Sequence, residues 1–182
     1  RIINSKNRKN DKENKKQNTQ YENQIWKLNG NLWGVHEIIF HNGLLNSIGK
    51  KINKNISITN IHESIKNNLF ESEKLLNSIM PYSTDISIAY NTSFIKYGFL
   101  LHINANSNIK HPITIKHYID DGSKGSFLNF RNILIVEKNV NTKILYHEIS
   151  SIDYCINSAW ESFMHNNSNV EIVLYSENQG AK

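Results

Sequence analysis

Apolar and polar residues alternate with a period of two from Phe99 to the last residues of the sequence. Side chains of a β-strand point alternately to its two faces, so this period predicts strands with a buried face. Polar connectors separate the alternating segments and contain no helical pattern. We therefore predict six strands in this half of the chain, Phe99–Ile103, Ile113–Ile119, 133–136, 143–149, 161–165 and 170–175.

The part of the chain before Phe99 has a different period. Its apolar residues recur at steps of three and four, which is typical of amphipathic helices. This pattern predicts a helix over residues 61–80, with Asn60 as its N-terminal cap. It predicts a second helix over residues 85–97, with Gly98 as its C-terminal cap.

The strand region also contains an internal repeat. The segments ITIKHYID, KILYHEIS and VLYSEN share an aliphatic stretch, an aromatic residue and then an acid. The acids Asp120, Glu148 and Glu177 recur at nearly equal steps, and almost the same step separates Ile115 from Ile144. Strands that repeat in this way, without helices between them, favour a β-solenoid over a β-sandwich. The predicted fold is therefore mainly β with a small α part: a right-handed parallel β-helix preceded by a short α/β region.

Charge is concentrated at one end of the sequence. The 182 residues include 21 Lys and Arg against 16 Asp and Glu, a net charge of +5. Residues 1–20 hold seven of the basic and two of the acidic side chains, so the remaining 14 and 14 balance. A neutral body lacks the basic face of a nucleic-acid-binding domain, and we predict no nucleic-acid partner. No run of 18 apolar residues occurs, so no membrane-spanning helix is predicted.

Composition and pattern together divide the chain into three regions. Residues 1–24 form a basic, low-complexity tail that we predict to be disordered. Residues 25–98 form an N-terminal α/β region with two helices, in which the dipeptide Asn42-Gly43 predicts a β-hairpin. We predict that residues 99–182 form a series of β-helix coils that is truncated at its end. Asparagine is common throughout, which we interpret as a compositional bias of the coding sequence.

Histidines and the single cysteine are the candidate metal ligands. His102, His111, His117 and His147 lie in the strand region, and Cys155 follows them. Imidazole and thiolate bind zinc or iron, and the last two histidines could lie on adjacent coils. No pair has the close spacing of a metal motif, so we predict surface or turn histidines and no metal site. One cysteine excludes a disulfide within the chain, and we predict a small buried thiol without a catalytic role.

The repeated acids are the candidate catalytic residues. Asp120, Glu148 and Glu177, if stacked on successive coils about 4.8 Å apart, would approach the geometry of a glycosidase pair. In the other interpretation, each acid is the first polar residue of a turn and is neutralised by nearby lysines. The ladder supports a carbohydrate-active β-solenoid enzyme as the alternative function. The loop DDGSKGS at 120–126 does not match a phosphate-binding motif and is predicted to be a connector.

Four segments resemble the SufB/SufD family of the SUF iron–sulfur cluster assembly machinery, and SufD within it. They are FHNG at 40–43, SIAYNTSFIKYGFLLHI at 87–103, HPITIKHYI at 111–119 and FRNILIVEKNVNTKILYHEI at 130–149. Asn91, Phe94 and Gly98 fall on the most recognisable positions of the family's helix–strand motif. Their order and spacing are similar to the family pattern over residues 35–182.

The resemblance implies a non-catalytic scaffold that pairs with SufB through its β-helix and with the SufC ATPase through a C-terminal region. The iron–sulfur cluster is then assembled on the full complex, in the bacterial cytoplasm or a plastid-type organelle. The sequence ends within the implied β-helix, so we expect the SufC-binding and cluster-site regions to lie outside it. No family site residue carries over, and we predict no catalytic, cofactor-binding or metal-binding residue and no cofactor bound by this segment alone.

The predicted tail generates a first test. Because residues 1–20 carry the whole net charge and almost no apolar side chains, we expect limited proteolysis to remove them first. The melting temperature of the trimmed chain should stay within a few degrees of the intact one. Loss of folding on trimming would show instead that these residues pack against the body.

Overall fold

Two β-sheets build most of the molecule. The computed structural model describes residues 36–120, 125, 127–152 and 154–178. Within these ranges the chain is mainly β, with a few short helical segments between the third and fourth strands. The prediction of a mainly β fold with a small α part is confirmed at this level.

The described residues contain nine strands and four helical segments. The strands are β1 His36–His41, β2 Leu44–Ile48, β3 Ile56–Asn60, β4 Phe99–Ile103, β5 Ile113–Ile119, β6 Phe127–Val136, β7 Asn141–Ser150, β8 Cys155–Met164 and β9 Asn169–Asn178. The helical segments are α1 Ile61–Lys66, a 3₁₀ turn Leu69–Glu71, α2 Ser72–Leu75 and α3 Ile86–Ser93.

Successive strands alternate between the two sheets from β4 onward. One sheet has five strands in the order β2-β1-β5-β7-β9, and the other has four in the order β3-β4-β6-β8. The pairs β1–β5, β5–β7, β7–β9, β4–β6 and β6–β8 are parallel, whereas β1–β2 and β3–β4 are antiparallel. Strands of the predicted N-terminal region therefore join both sheets of the strand region.

The register between parallel strands differs from the one that the repeat predicted. Ile144 pairs with Ile113, so the partnership of Ile144 with Ile115 that the repeat implied is wrong. The sequence separation of Ile113 and Ile144, which pair between β5 and β7, is also larger than that of Asn141 and Asn169, which pair between β7 and β9. The repeat exists but is unequal in length, because the connectors differ in length while the strands keep their pairing.

Asparagines stack at the turns that lead from the four-stranded to the five-stranded sheet. Asn106, Asn139 and Asn167 each adopt the left-handed conformation, with φ of 57°, 59° and 58°. The Asn139 Nδ2 donates to Asn106 Oδ1 at 2.8 Å, and the Asn167 Nδ2 donates to Asn139 Oδ1 at 2.8 Å. Asparagine tolerates positive φ better than other residues with a Cβ. Asparagine therefore has a structural role at these three turns.

The predicted hairpin is confirmed. Asn42 and Gly43 connect β1 to β2 with φ of 47° and 85°, the signs that a two-residue hairpin turn requires. A Cβ on Gly43 would lie 2.4 Å from the Tyr97 ring, so the close approach of Tyr97 also requires glycine here.

The long predicted helix over 61–80 is wrong. Instead, α1 ends at Lys66, and a 3₁₀ turn and the single turn α2 follow. Asn68, Phe70 and Glu71 have positive φ, which no α-helix accommodates. The Phe70 ring lies against the His102 ring with centroids 4.2 Å apart, a tertiary contact between this segment and β4.

Both predicted helix caps also differ in the structure. The Asn60 side chain makes no capping hydrogen bond, and its Oδ1 accepts from the Leu45 backbone N–H at 2.8 Å. The helix predicted over 85–97 ends at Ser93, so Gly98 does not cap it. Gly98 has φ of 110°, and a Cβ there would lie 2.1 Å from the Arg131 carbonyl oxygen. This glycine is needed for close backbone packing.

The main core lies between the two sheets. Residues such as Ile38, Ile115 and Ile144 from the five-stranded sheet pack with Leu101 and Leu134 from the four-stranded sheet. The predicted strand positions are confirmed, but β6, β7, β8 and β9 each have ten residues and extend beyond the predicted bounds. Polar residues within these strands concealed the extensions, because they interrupt the alternation.

Some predictions fall on other parts of the chain. Residues 1–24 lie outside the described ranges, so their disorder stays a prediction. Among the helices that the structure describes, none has the length and apolar character needed to cross a membrane.

Asn132 on β6 differs from most buried polar residues in the hydrogen bonding of its side chain. Its side chain is 0 % exposed and pairs in register with Trp160 on β8. Within the described part of the chain, neither its amide oxygen nor its amide nitrogen has a hydrogen-bond partner. A buried polar group without a partner lowers stability.

We expect Asn132→Leu to stabilise the protein, because it removes the unsatisfied amide and keeps a similar volume. The free energy of unfolding should rise by about 1–3 kcal/mol in urea denaturation. The matched control is Asn91→Leu, at an equally buried asparagine whose amide donates to the Phe130 and Asn157 carbonyls. The control should destabilise the protein, and a similar loss in Asn132→Leu would contradict the expectation.

Candidate functional site

A chain of polar side chains enters the interior between the sheets and ends at a cavity. Its first member is His117 on β5, and Tyr146 and Glu148 follow on the neighbouring strand β7. Tyr154, from the connector before β8, and Ser176 on β9 complete it. Residues 144, 146 and 148 share one face of β7 because side chains alternate along a strand. The interior therefore changes from aliphatic to polar along this face.

The hydrogen bonds and the burial of His117 define the protonation state of its ring. The Gly43 backbone N–H donates to His117 Nε2 at 2.9 Å, and His117 Nδ1 lies 2.8 Å from Tyr146 Oη. Since Nε2 accepts, the neutral ring carries its proton on Nδ1 and donates it to the Tyr146 hydroxyl. Burial, helped by the neighbouring His41, lowers the pKa of His117 from 6.5 to about 3. This imidazole is neutral at physiological pH.

Glu148 is a buried carboxylate held by neutral donors. Its side chain is 8 % exposed, and Oε1 accepts from the Tyr154 hydroxyl and from Ser176 Oγ at 3.2 Å. Burial and the hydrogen bond to Glu148 raise the pKa of Tyr154 to about 12. Burial, with the charges of Glu148 and Tyr154, raises the pKa of Tyr146 well above its usual range. Both phenols are therefore protonated, and the Tyr154 hydroxyl donates to Glu148.

The polar chain ends at a cavity of about 190 Å³. Glu148, Tyr146, Trp160, Ser158, Leu174 and Ser176 are among its lining residues. The Tyr146 and Trp160 rings meet edge to face, with centroids 5.4 Å apart and an interplanar angle of 89°. A carboxylate, two serine hydroxyls and aromatic rings thus line one small space. Such a set is suited to binding a small ligand.

The structure buries three of the four candidate histidines. His102, His117 and His147 are buried, so the prediction of surface or turn positions is wrong for them, and His111 is half-buried. His117 pairs with Glu148 rather than with His147, so the two histidines point to opposite faces of the sheet. In the ranges that the structure covers, no group of three or more His, Cys, Asp or Glu could hold a metal ion.

Cys155 differs from its prediction. It begins β8 and is exposed, whereas the sequence predicted a small buried thiol. Its position at a strand terminus explains the difference, because the first residue of a strand is often outside the packed part of the sheet.

The acidic ladder does not form. Glu148 pairs with His117 and Ser176, while Glu177 pairs with Ile149 and points to the opposite face from Glu148. Asp120 follows the last residue of β5 and contacts the His41 side chain at 2.8 Å. The register therefore removes the stacking on which the carbohydrate-active alternative rested. Residues 121–124 and 126 of the predicted connector lie outside the described ranges.

Sequence reasoning missed a second polar cluster on the outer face of the four-stranded sheet. Arg131 on β6 donates to Glu161 Oε1 on β8 from Nε at 3.1 Å and from Nη2 at 2.6 Å. The Arg131 Nη2 also donates to Asn77 Oδ1, and Nη1 donates to Asn91 Oδ1 at 3.4 Å. The sequence signal for this cluster was the presence of two residues of opposite charge, Arg131 and Glu161, within segments rich in apolar residues.

No family model and no curated protein sequence matches this chain.

The buried His117 generates a prediction about pH. Its pKa is lower in the folded state than in the unfolded state, so the unfolded chain binds the extra proton and stability falls as the pH decreases from 6.5 toward 3. Between pH 7.5 and pH 5, this group should cost about 2 kcal/mol of unfolding free energy.

We expect His117→Gln, measured by urea denaturation at both pH values, to lose about 2 kcal/mol less than the wild type over this interval. The control His62→Gln, at an exposed position of α1, should keep the wild-type dependence. An unchanged dependence in His117→Gln would show that His117 does not titrate in this way.

Proposed function

We propose that the chain is a β-helical scaffold component of an iron–sulfur cluster assembly complex, of the SufB/SufD type. The strand arrangement supports the β-helix. From β6 onward, each strand lies in the other sheet from its predecessor and pairs in parallel with the strand two places earlier. The stacked asparagine turns repeat at the same end of successive crossings. A right-handed coil is the expected hand for parallel crossovers.

The observation that carries the family proposal is the meeting of its motif residues in space. Asn91 and Gly98 belong to the helix–strand motif, and Arg131 belongs to the later FRNILIV segment. Asn91 Oδ1 accepts from Arg131, and the Gly98 backbone packs against the Arg131 backbone. Motif residues that are far apart in sequence thus form one structural contact. This supports a shared fold determinant rather than a chance match of short segments.

A scaffold role requires surfaces for partners rather than reactive side chains. In the described residues, β9 has a neighbour on one side only, and Ile172, Val173 and Leu174 are exposed along it. A strand edge with apolar side chains is suited to continuation by another chain. We propose SufB as the pairing partner, with the SufC ATPase in the same assembly, in a bacterial cytoplasm or a plastid-type organelle. The proposed role is non-catalytic.

The test is co-expression of the chain with SufB and SufC of the same genome. We expect a complex with SufB to co-purify and to behave as a heterodimer in size-exclusion chromatography with light scattering. Leu174→Asp should weaken the complex by about 10–100-fold, since burying a leucine contributes about 1.5–3 kcal/mol.

The matched control is Leu44→Asp, on the edge strand β2 at the opposite side of the same sheet. The two leucines have similar exposure, 52 % for Leu44 and 63 % for Leu174, so the variants differ mainly in the edge that they change. A folded chain that binds neither SufB nor SufC would refute the proposed function. Equal weakening by the two variants would refute β9 as the pairing edge.

A further inference from the structure

Among the residues that the structure describes, two carboxylates are buried, and they have different environments. Glu161 is 0 % exposed and forms an ion pair with Arg131. Glu148 is 8 % exposed, and within the described ranges no Lys, Arg or His forms an ion pair with it. A buried charge without a counter-charge is unfavourable unless other groups compensate for it. Of these two carboxylates, Glu148 is therefore the one without a cationic partner in the described part of the chain.

The hydrogen-bond donors around Glu148 are uncharged. Tyr154 and Ser176 both donate to its Oε1. Oε2 accepts no hydrogen bond from the residues that the structure describes, and the cavity borders this carboxyl group. An acceptor is thus available to a ligand.

The other walls of the cavity are suited to an organic cation. Trp160 and Tyr146 supply aromatic rings, which attract ammonium groups through the negative face of the ring. Leu174 supplies an apolar surface for an alkyl chain, and Ser158 supplies a hydroxyl group. The volume of about 190 Å³ exceeds the space that one water molecule needs, roughly 10–15 Å³ on a comparable measure.

The chemistry of the walls selects against a divalent metal. Calcium and magnesium sites use several oxygen ligands, commonly with more than one carboxylate. Among the described lining residues, Glu148 supplies the one carboxylate, and aromatic rings form part of the remaining wall. One negative charge beside aromatic rings matches a monovalent organic cation.

We propose that this cavity binds an alkylammonium group, with Glu148 as its counter-ion and Trp160 as its aromatic wall. The ammonium nitrogen donates to Glu148 Oε2, and the alkyl chain lies against Leu174. The group can come from a free primary amine or from a lysine side chain of a peptide. This binding site shares Leu174 with the β9 edge proposed above as the SufB-pairing surface, so it is tested on the chain without SufB.

The test is a titration of the full chain, followed by ¹H–¹⁵N NMR at the Trp160 indole and the Ser176 amide. The probes are n-butylammonium, Nα-acetyl-lysine methylamide and the neutral analogue n-butanol. We expect a dissociation constant on the order of 1 mM for at least one amine, the range expected for so small a ligand. Binding of only the first amine assigns the site to free amines, and binding of only the second assigns it to peptide lysines.

Two variants of equal charge change test the role of Glu148. Glu148→Gln removes the counter-ion, and we expect the amine affinity to fall by about tenfold or more. Glu177→Gln, on the opposite face of the sheet, removes the same charge and should change the affinity by less than about twofold. Equal binding of n-butanol, or equal effects of the two variants, would overturn the proposal.

A further measurement does not depend on the folding of any variant. In the wild-type chain, nuclear Overhauser effects should connect the butylammonium methylene protons to the Trp160 ring protons. Their absence at saturating amine would overturn the proposed site, as would a failure of both amines to bind.

Discussion

The buried ion pair between Arg131 and Glu161 attaches the helical connection between β3 and β4 to the four-stranded sheet. Both side chains are 0 % exposed, so their removal from water must be offset by complete hydrogen bonding. Glu161 accepts not only from Arg131 but also from the backbone N–H groups of Asn77, Ile79 and Met80. The Glu161 carboxylate thus accepts hydrogen bonds from backbone N–H groups that lie outside the helices. Loss of one partner would leave an uncompensated buried charge, at a cost of about 3–5 kcal/mol.

The same network sets the position of α3 and of the second hydrophobic cluster. Asn91 connects Arg131 to the Phe130 and Asn157 carbonyls, which fixes α3 across two strands. The cluster around Leu100 and Ile133 then lies beneath the helical segment and is protected from water. Polar contacts therefore determine which apolar surface is covered. Burial supplies most of the favourable free energy, but the buried pair decides where the segment lies.

Local pattern predicted what depends on local geometry. Alternation located the strands, and Asn42-Gly43 located the hairpin, because both signals act within a few residues. The register was missed, since connectors of unequal length shift the pairing without altering the pattern of each strand. The polar clusters were missed for another reason. Arg131 and Glu161 are far apart in sequence, and their separate positions resemble solvent-facing charges until the sheet brings them together.

The contrast between the two buried carboxylates connects folding to binding. Glu161 has its cation in Arg131 and its remaining acceptor capacity filled by backbone donors, so nothing is left for a ligand. Glu148 has neutral donors on one oxygen and a cavity beside the carboxyl group. Among the described residues, Glu161 has a cationic partner and Glu148 has none. A fold that satisfies one carboxylate fully and leaves a second beside an aromatic cavity has the asymmetry expected of a structural site and a binding site.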